Sequence, residues 1–387
     1  MSDWRVPLSD LAYDHREGEA AARVISSGWL SMGPEVAAFE AEFAEFLGVR
    51  HAFAVSSGTA ALHLALLSTG IGPGDEVIQP AVNFAAAANM TTLVGARPVF
   101  ADIVSLAEPT IDPAHVERLL TPRARALVVM HYGGHLCRMA ELAALCAERD
   151  LVLIEDAPHA LGARYLDPSG RPPHGRHAGT LGDVGCFSFF SNKNLATGEG
   201  GMIVTDRADL ADRIRLLRSH GMTTLTWDRH QGRAHSYDVV ANGFNYRFDE
   251  MRAAIGRVQL EKLPTGNARR EALVHEYWRS LAGLPGLTLP FLDHQGESAH
   301  HIMVAVAESV AQRRTIVEHL DACRIQTSLH YPCIADFAGF ADQGEHHLPL
   351  SREYASRTIT LPLFPDLLEP ALHTVCKEVA DSLRRSN

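Results

Sequence analysis

The stretch Cys186-Phe-Ser-Phe-Phe-Ser-Asn-Lys193-Asn-Leu-Ala-Thr-Gly-Glu-Gly-Gly201 governs the rest of the chain. Its apolar start, Cys186 to Phe190, predicts a strand, and the polar loop that follows holds one lysine and then three glycines. A second apolar run, Met202 to Val204, predicts a returning strand. A lysine held at a sheet edge beside glycine-rich backbone is well placed to form a Schiff base with a carbonyl. Taken alone, the same residues also describe a solvated lysine in a surface turn, so the meaning of Lys193 depends on the chain before it.

Upstream, strand and helix signals alternate. His51–Ser56, Glu76–Pro80, Pro98–Ile103, Ala126–His131 and Leu151–Glu155 are predicted strands. Gly58–Thr69, Phe84–Val94, Pro113–Leu120 and Met139–Arg149 are predicted helices between them. The alternation implies an α/β fold: right-handed crossovers building a mostly parallel sheet covered by helices on both faces. Apolar runs such as Leu151-Val-Leu-Ile154 fit strands buried on both sides. Ahead of the sheet, residues 15–31 read as a first helix that ends near Ser26-Ser27-Gly28, ahead of Trp29. Pro34–Leu47 reads as a second, with proline in its first turn, Val36, Phe39 and Phe43 on one face, and Gly48 as its stop.

Beyond Val204 the pattern predicts a helix over Ala208–Ser219 and another from Asp249 to Leu263. The polar stretch Thr223–Asp238 between them is too long for a plain connector and is expected to cover a site or a partner. Pro264-Thr-Gly266 reads as a hinge between a large unit, 1–264, and a smaller C-terminal α+β unit, 265–387. The latter has helices near 267–282, 310–322 and 370–384 and strands at Ile302–Ala307 and Ile359–Leu363.

Composition narrows the class. The 387 residues are 46% hydrophobic and 21% charged, as in a soluble enzyme, with a net charge of -11 that argues against nucleic acid or an anionic membrane as main partner. No apolar run approaches the roughly 20 residues of a membrane span, and the N-terminus lacks a signal-peptide core. The six cysteines include no Cys-x-x-Cys pair, which fits reduced thiols in a cytoplasmic protein. No metal site is expected: the 21 histidines show no ligand pattern, and the helically spaced His131 and His135 are separated by Gly133-Gly134.

Three features follow predicted strands, where open α/β sheets bind ligands. Ser56-Ser57-Gly58-Thr59-Ala60-Ala61-Leu62 opens a helix with small residues, leaving N–H groups that favour a phosphate; it reads as well as a plain N-cap. Asp156, in Leu153-Ile-Glu-Asp156-Ala-Pro-His159, ends a buried strand and needs a cationic or hydrogen-bonding partner. A protonated pyridine nitrogen would serve and would gain electron-withdrawing power from the pair, while a structural salt bridge would satisfy it equally. Ser188 and Lys193 form the third feature, the hydroxyl able to donate to a phosphate oxygen and the amine requiring a lowered pKa. Together the three describe a pyridoxal-phosphate site.

Over nearly its full length the chain resembles the DegT/DnrJ/EryC1/StrS sugar aminotransferases. The resemblance is carried by Ser26-Ser-Gly-Trp-Leu30, Gly33-Pro-Glu-Val36, Ser57-Gly-Thr-Ala-Ala-Leu62, Ile154-Glu-Asp-Ala-Pro-His159 and Cys186-Phe-Ser-Phe-Phe190. Lys193-Asn-Leu-Ala-Thr-Gly-Glu-Gly-Gly201, His220-Gly221 and Gly243-Phe-Asn-Tyr-Arg247 extend it. It implies a fold-type I scaffold with a seven-stranded sheet, and pyridoxal 5'-phosphate, alternating with its pyridoxamine form, as cofactor. It implies further that Lys193 carries the cofactor and Asp156 pairs with its ring nitrogen. Phe84 would stack on that ring, and His159 would lie close to it. Gly58, Thr59 and Ser188 would hold the phosphate, with Asn245 reaching the phosphate of a neighbouring subunit in a homodimer with shared active sites. The family usually has alanine where this chain has Pro158.

The expected reaction is a two-stage transamination, with Lys193 as covalent anchor and proton carrier. Glutamate or glutamine gives the amine to the cofactor, and a ketosugar accepts it. The resemblance favours a nucleotide-linked keto-deoxysugar, then a ketocyclitol. Trp29, the segment Trp227-Asp-Arg-His230, His330 and Tyr331 are candidate substrate contacts. A nicotinamide oxidoreductase should show Gly-x-Gly-x-x-Gly after its first strand, where this chain has Ser-Ser-Gly-Thr. A silent regulatory protein of the same fold would have no need of the Lys193, Asp156 and Ser188 set, and family members with histidine in place of the lysine act as dehydratases.

Overall fold

Two helices lead into the sheet, α1 (His15–Ser27) and α2 (Pro34–Leu47). An Asp14–Glu17 capping box opens α1, and Gly28 closes it at φ 76°, which agrees with the end expected near Ser26-Ser27-Gly28. In computed structural model form, the protein is described over residues 4–385 apart from 168–169, 171–172, 225, 233–235, 295 and 345. The chain then alternates through β1 (His51–Val55), α3 (Gly58–Ser68), β2 (Glu76–Pro80), α4 (Ala86–Leu93), β3 (Arg97–Ala101) and α5 (Pro113–Leu119). It continues with β4 (Ala124–Met130), α6 (Met139–Arg149), β5 (Val152–Asp156), β6 (Val184–Ser188) and β7 (Gly201–Thr205).

These strands form one seven-stranded sheet in the order β1-β7-β6-β5-β4-β2-β3. Strands β6, β5, β4, β2 and β3 pair in parallel, while β7 runs antiparallel to both of its neighbours, β6 and β1. The predicted mostly parallel sheet is thus present, with the single reversal caused by the lysine loop. That loop connects β6 to β7 as a return between adjacent strands, without a crossover helix.

Helix α3 is apolar all round and buried almost throughout, as a helix covered by the sheet and by further helices must be. On the other face Phe39, Phe43 and Leu47 of α2 pack with Phe187, Phe189 and Phe248. The C-terminal part comprises α7 (Ala208–Arg218), α8 (Thr226–His230), α9 (Glu250–Leu281), β8 (Leu287–Thr288), β9 (Met303–Ala307) and α10 (Val310–Ala322). It ends with α11 (Pro349–Arg357), β10 (Thr358–Leu361) and α12 (Glu369–Arg385), and its second sheet has the order β10-β9-β8.

The hinge expected at Pro264-Thr-Gly266 is not a break. Helix α9 runs unbroken for 32 residues with Pro264 inside it. Proline costs a helix one hydrogen bond and some clash, but burial on either side carries the helix across. Leu260 and Leu263 lie in the core under α2, and Leu273, Val274, Tyr277 and Leu281 lie in the core of the second sheet. Local propensity loses to packing at this point.

Candidate active site

The C-terminal ends of β5 and β6, the start of α3 and the segment around 330 enclose a cavity of about 380 Å³. Gly58, Thr59, Phe84, Asp156, His159, Ser188, Lys193, His330 and Tyr331 all line it, so sequence-distant residues singled out above meet in one place. Trp29 does not line it. Its ring stacks on His230 at 4.5 Å and tilts against Trp227 at 4.8 Å, so these three candidate substrate contacts form their own aromatic cluster. Part of the Thr223–Asp238 stretch is the short helix α8, while Leu225 and residues 233–235 lie outside the described residues. Asn245 is exposed, bridged to Ser219, and is not part of the cavity wall.

The phosphate candidate is built by close approach. Ser57 caps α3, its side chain accepting from Ala60 N–H at 3.0 Å. A Cβ on Gly58 would stand 2.7 Å from Ser188 Cβ, so only glycine lets α3 begin against β6. Gly201, paired with both Val55 and Ser188, is equally tight: its Cβ would fall 2.6 Å from the Phe187 carbonyl oxygen. The N–H groups of Gly58 and Thr59 have no hydrogen-bond partner among the described residues and sit at the positive end of α3.

Asp156, 5% exposed, is the last residue of β5. Its Oδ2 accepts from Asn83 Nδ2 at 2.9 Å, and Oδ1 has no partner among the described residues. Burial pushes its pKa up, while Asn83 and the Lys193 charge pull it down. Strand alternation sends the preceding Glu155 to the opposite face. There it is fully buried and accepts from Gly179, Leu181 and Gly182 N–H and from His131 Nε2. Glu155 thus fixes the 179–182 turn and the strand end that presents Asp156.

Lys193 is half-buried, and desolvation lowers its pKa to about 8 against the opposing charge of Asp156. Its neighbour Asn194 anchors the loop, with Nδ2 donating to Ala299 O at 2.8 Å and Asn267 Oδ1 at 2.9 Å, and Oδ1 receiving the His301 Nδ1 proton at 2.9 Å. His159 accepts from Gly133 N–H through Nδ1 at 3.3 Å, which assigns the ring proton to Nε2, 2.8 Å from Tyr331 Oη. Burial holds His159 neutral, its pKa well below the usual range, with Lys193 and His330 adding to the effect.

Sequence reading missed several of these residues. Asn83, Asn192 and Glu199 line the cavity, and Asn192 Oδ1 is buried without a partner among the described residues. Asn192 and Glu199 stood inside the quoted lysine stretch, and Asn83 directly precedes Phe84, but nothing local marks which polar residue turns inward. Asn194, Asn267 and His301 hold the loop from outside the cavity, and only the fold brings them together.

Similarity to known proteins agrees with this geometry. The chain is 38% identical to the spore coat polysaccharide biosynthesis protein SpsC of Bacillus subtilis (strain 168), over 98% of this chain and 97% of that one. The crystal structure of S. venezuelae DesV in complex with a ketimine intermediate superposes with a TM-score of 0.89 at 37% identity, covering 99% of this chain and 100% of that one. DesI, solved in the presence of its TDP-sugar product, superposes with a TM-score of 0.84 at 31% identity, over 97% of this chain and 95% of that one. With residues 12–380 matching it, the chain belongs to the DegT/DnrJ/EryC1/StrS aminotransferase family, a transaminase on the fold-type I scaffold.

Proposed function

We propose that this transaminase uses pyridoxal 5'-phosphate to move an amino group from glutamate or glutamine to a keto carbon of a nucleotide-linked deoxysugar. The observation that carries the reading is the convergence, in one cavity, of the Lys193 amine, the Asp156 carboxylate and the two open amides of Gly58 and Thr59. Those groups fit the cofactor: an anion seat at a helix start, a buried carboxylate oxygen in want of a cation, and an amine with a depressed pKa. When bound, pyridoxal phosphate supplies a carbonyl that exchanges amines and a ring that withdraws electrons. The sugar substrate is supported by the polysaccharide role in the name of SpsC and by the TDP-sugar product in whose presence DesI was solved.

The chain's own residues then divide the work. Gly58 and Thr59 N–H and the Ser188 hydroxyl bind the phosphate. Asp156 holds the ring nitrogen, steadied by Asn83 at 2.9 Å. Phe84, 62% exposed, is free to cover the ring, and His159 donates from Nε2 toward Tyr331. Lys193 takes and returns the proton at the reacting carbon. With its pKa near 8, roughly one amine in ten is neutral at pH 7, against about three in ten thousand for an ordinary lysine. Asn245, exposed in its own chain, serves the phosphate of a second copy in a homodimer. The division at 264/265 into a large and a small unit belongs to the same proposal.

Lys193→Ala should abolish turnover and the borohydride-stable cofactor linkage, seen as loss of the reducible visible absorbance. Retention of either overturns the assignment. Turnover of a panel of nucleotide-linked ketosugars and ketocyclitols, with glutamate and with glutamine, separates the acceptors and donors. A protein that binds cofactor and turns over none of them contradicts the enzyme reading.

A further inference from the structure

A second cluster of ligand atoms, none of them in the cavity lining, lies on the C-terminal part. His319 and Cys323 sit one helical turn apart at the end of α10, and Glu378 faces them from α12. His319 Nε2 is 2.9 Å from Glu378 Oε2, Cys323 Sγ is 3.5 Å from the same oxygen, and Sγ is 3.9 Å from Nε2. All three ligand atoms lie within 4.8 Å of one another.

The geometry points to a binding site for a zinc-class divalent cation held by His319 Nε2, Cys323 Sγ and Glu378 Oε2. A tetrahedral zinc ion with bonds of about 2.0–2.3 Å to nitrogen, oxygen and sulfur sets its ligand atoms about 3.3–3.6 Å apart. The three separations here straddle that range. Closing the site requires only that the His319–Glu378 contact open by a few tenths of an ångström and that Sγ move in by a similar amount.

The ligands are pre-positioned. Ile316 and Leu320 of α10 pack with Leu372, Val375, Cys376 and Val379 of α12 in one buried core, so the two helices cannot slide apart cheaply. The side chains are not sealed off, with His319 11% and Glu378 16% exposed. The Lys377 ammonium, 3.8 Å from Glu378 Oε1, is the competing cation, but its side chain is 72% exposed and free to leave.

On binding, the Cys323 thiol proton passes to solvent, and the His319 ring proton rests on Nδ1 while Nε2 takes the metal. Thiolate and carboxylate neutralise the dication. The site would clamp the C-terminal helix α12 to α10. The nitrogen, sulfur and oxygen donor set favours zinc over magnesium or calcium, which take oxygen alone. No ligand pattern was visible in the sequence because Glu378 stands 55 residues beyond Cys323.

The test is cobalt(II) and zinc(II) titration of the untagged, cofactor-loaded protein. One equivalent of cobalt per chain should give a thiolate-to-cobalt charge-transfer band and tetrahedral visible bands, displaced by zinc. Cys323→Ser should lose the charge-transfer band, and His319→Ala and Glu378→Gln should each weaken metal binding by at least about tenfold. Zinc should raise the melting temperature of the parent protein and not of Cys323→Ser, with turnover unaltered in all variants. Absence of the charge-transfer band at one equivalent, or an unchanged band in Cys323→Ser, overturns the site. If Cys323→Ser fails to fold, the Glu378→Gln titration decides alone: undiminished affinity overturns it.

Discussion

Replacing Glu155 by glutamine preserves shape and removes one acceptor oxygen, and the structure says what this should cost. Oε1 accepts from Leu181 N–H at 2.5 Å and Gly182 N–H at 2.6 Å; Oε2 accepts from Gly179 N–H at 2.8 Å and His131 Nε2 at 2.8 Å. Whichever way the new amide turns, its NH2 faces two donors. His131 cannot rescue the pair by moving its proton, because Nδ1 already accepts from Cys137 N–H at 3.3 Å. Two charge-assisted hydrogen bonds are therefore lost at about 1.5–3 kcal/mol each, for a total of about 3–6 kcal/mol. Global unfolding of a chain this long is a poor reporter. The local reporter is amide hydrogen exchange at Gly179, Leu181 and Gly182, where protection should fall by about two to four orders of magnitude either at Gly179 or at Leu181 and Gly182, according to which way the new amide turns. Cofactor affinity should fall with it, since the same carboxylate fixes the strand end that presents Asp156. Protection at those amides unchanged within about threefold would refute the account of Glu155 as the anchor of that turn.

Imine formation between the apo-protein and an added aldehyde needs neutral Lys193, so its rate should climb about tenfold per pH unit and level off above about pH 8. Asp156→Asn removes the negative charge that holds the ammonium, so the midpoint of that profile should move to lower pH; a midpoint moving upward contradicts the stated electrostatics. Gly58→Ala places a Cβ 2.7 Å from Ser188 Cβ, and should lose about 1–3 kcal/mol of stability by chemical denaturation together with at least about tenfold in cofactor affinity. A Gly58→Ala protein with parental stability and affinity would show that α3 and β6 have room to separate. Asn83→Ala takes the Nδ2 donor away from Asp156 Oδ2; cofactor titration should show weaker binding, and unchanged binding would remove Asn83 from the positioning role.

The mostly parallel sheet was legible because its signals are local. Apolar runs of strand length alternating with helical runs admit few arrangements, and the Lys193 loop fitted a return between neighbouring strands. Asp156, Ser188, Gly58 and Thr59 were legible for a related reason: each stands where a strand ends or a helix begins, and there residue type speaks directly to backbone chemistry. Pro264 misled because helix propensity is local, while the cores holding α9 on either side of it are assembled from distant segments. Trp29 was assigned by residue type alone, and only the folded chain shows it stacked on His230.

The sequence by itself determined the class of fold, and it marked the helix start at Gly58 and the lysine and carboxylate that meet in the cavity, because each is written in a short window. The tertiary structure alone decided which polar side chains turn inward. It set Asn83 on Asp156, gave Glu155 its four donors on the opposite face, and drew Asn194 and His301 together behind Lys193. It also brought Glu378 against His319 and Cys323. Such pairings join residues tens to hundreds of positions apart, and their partners are fixed by how helices and sheets pack, which no local pattern encodes.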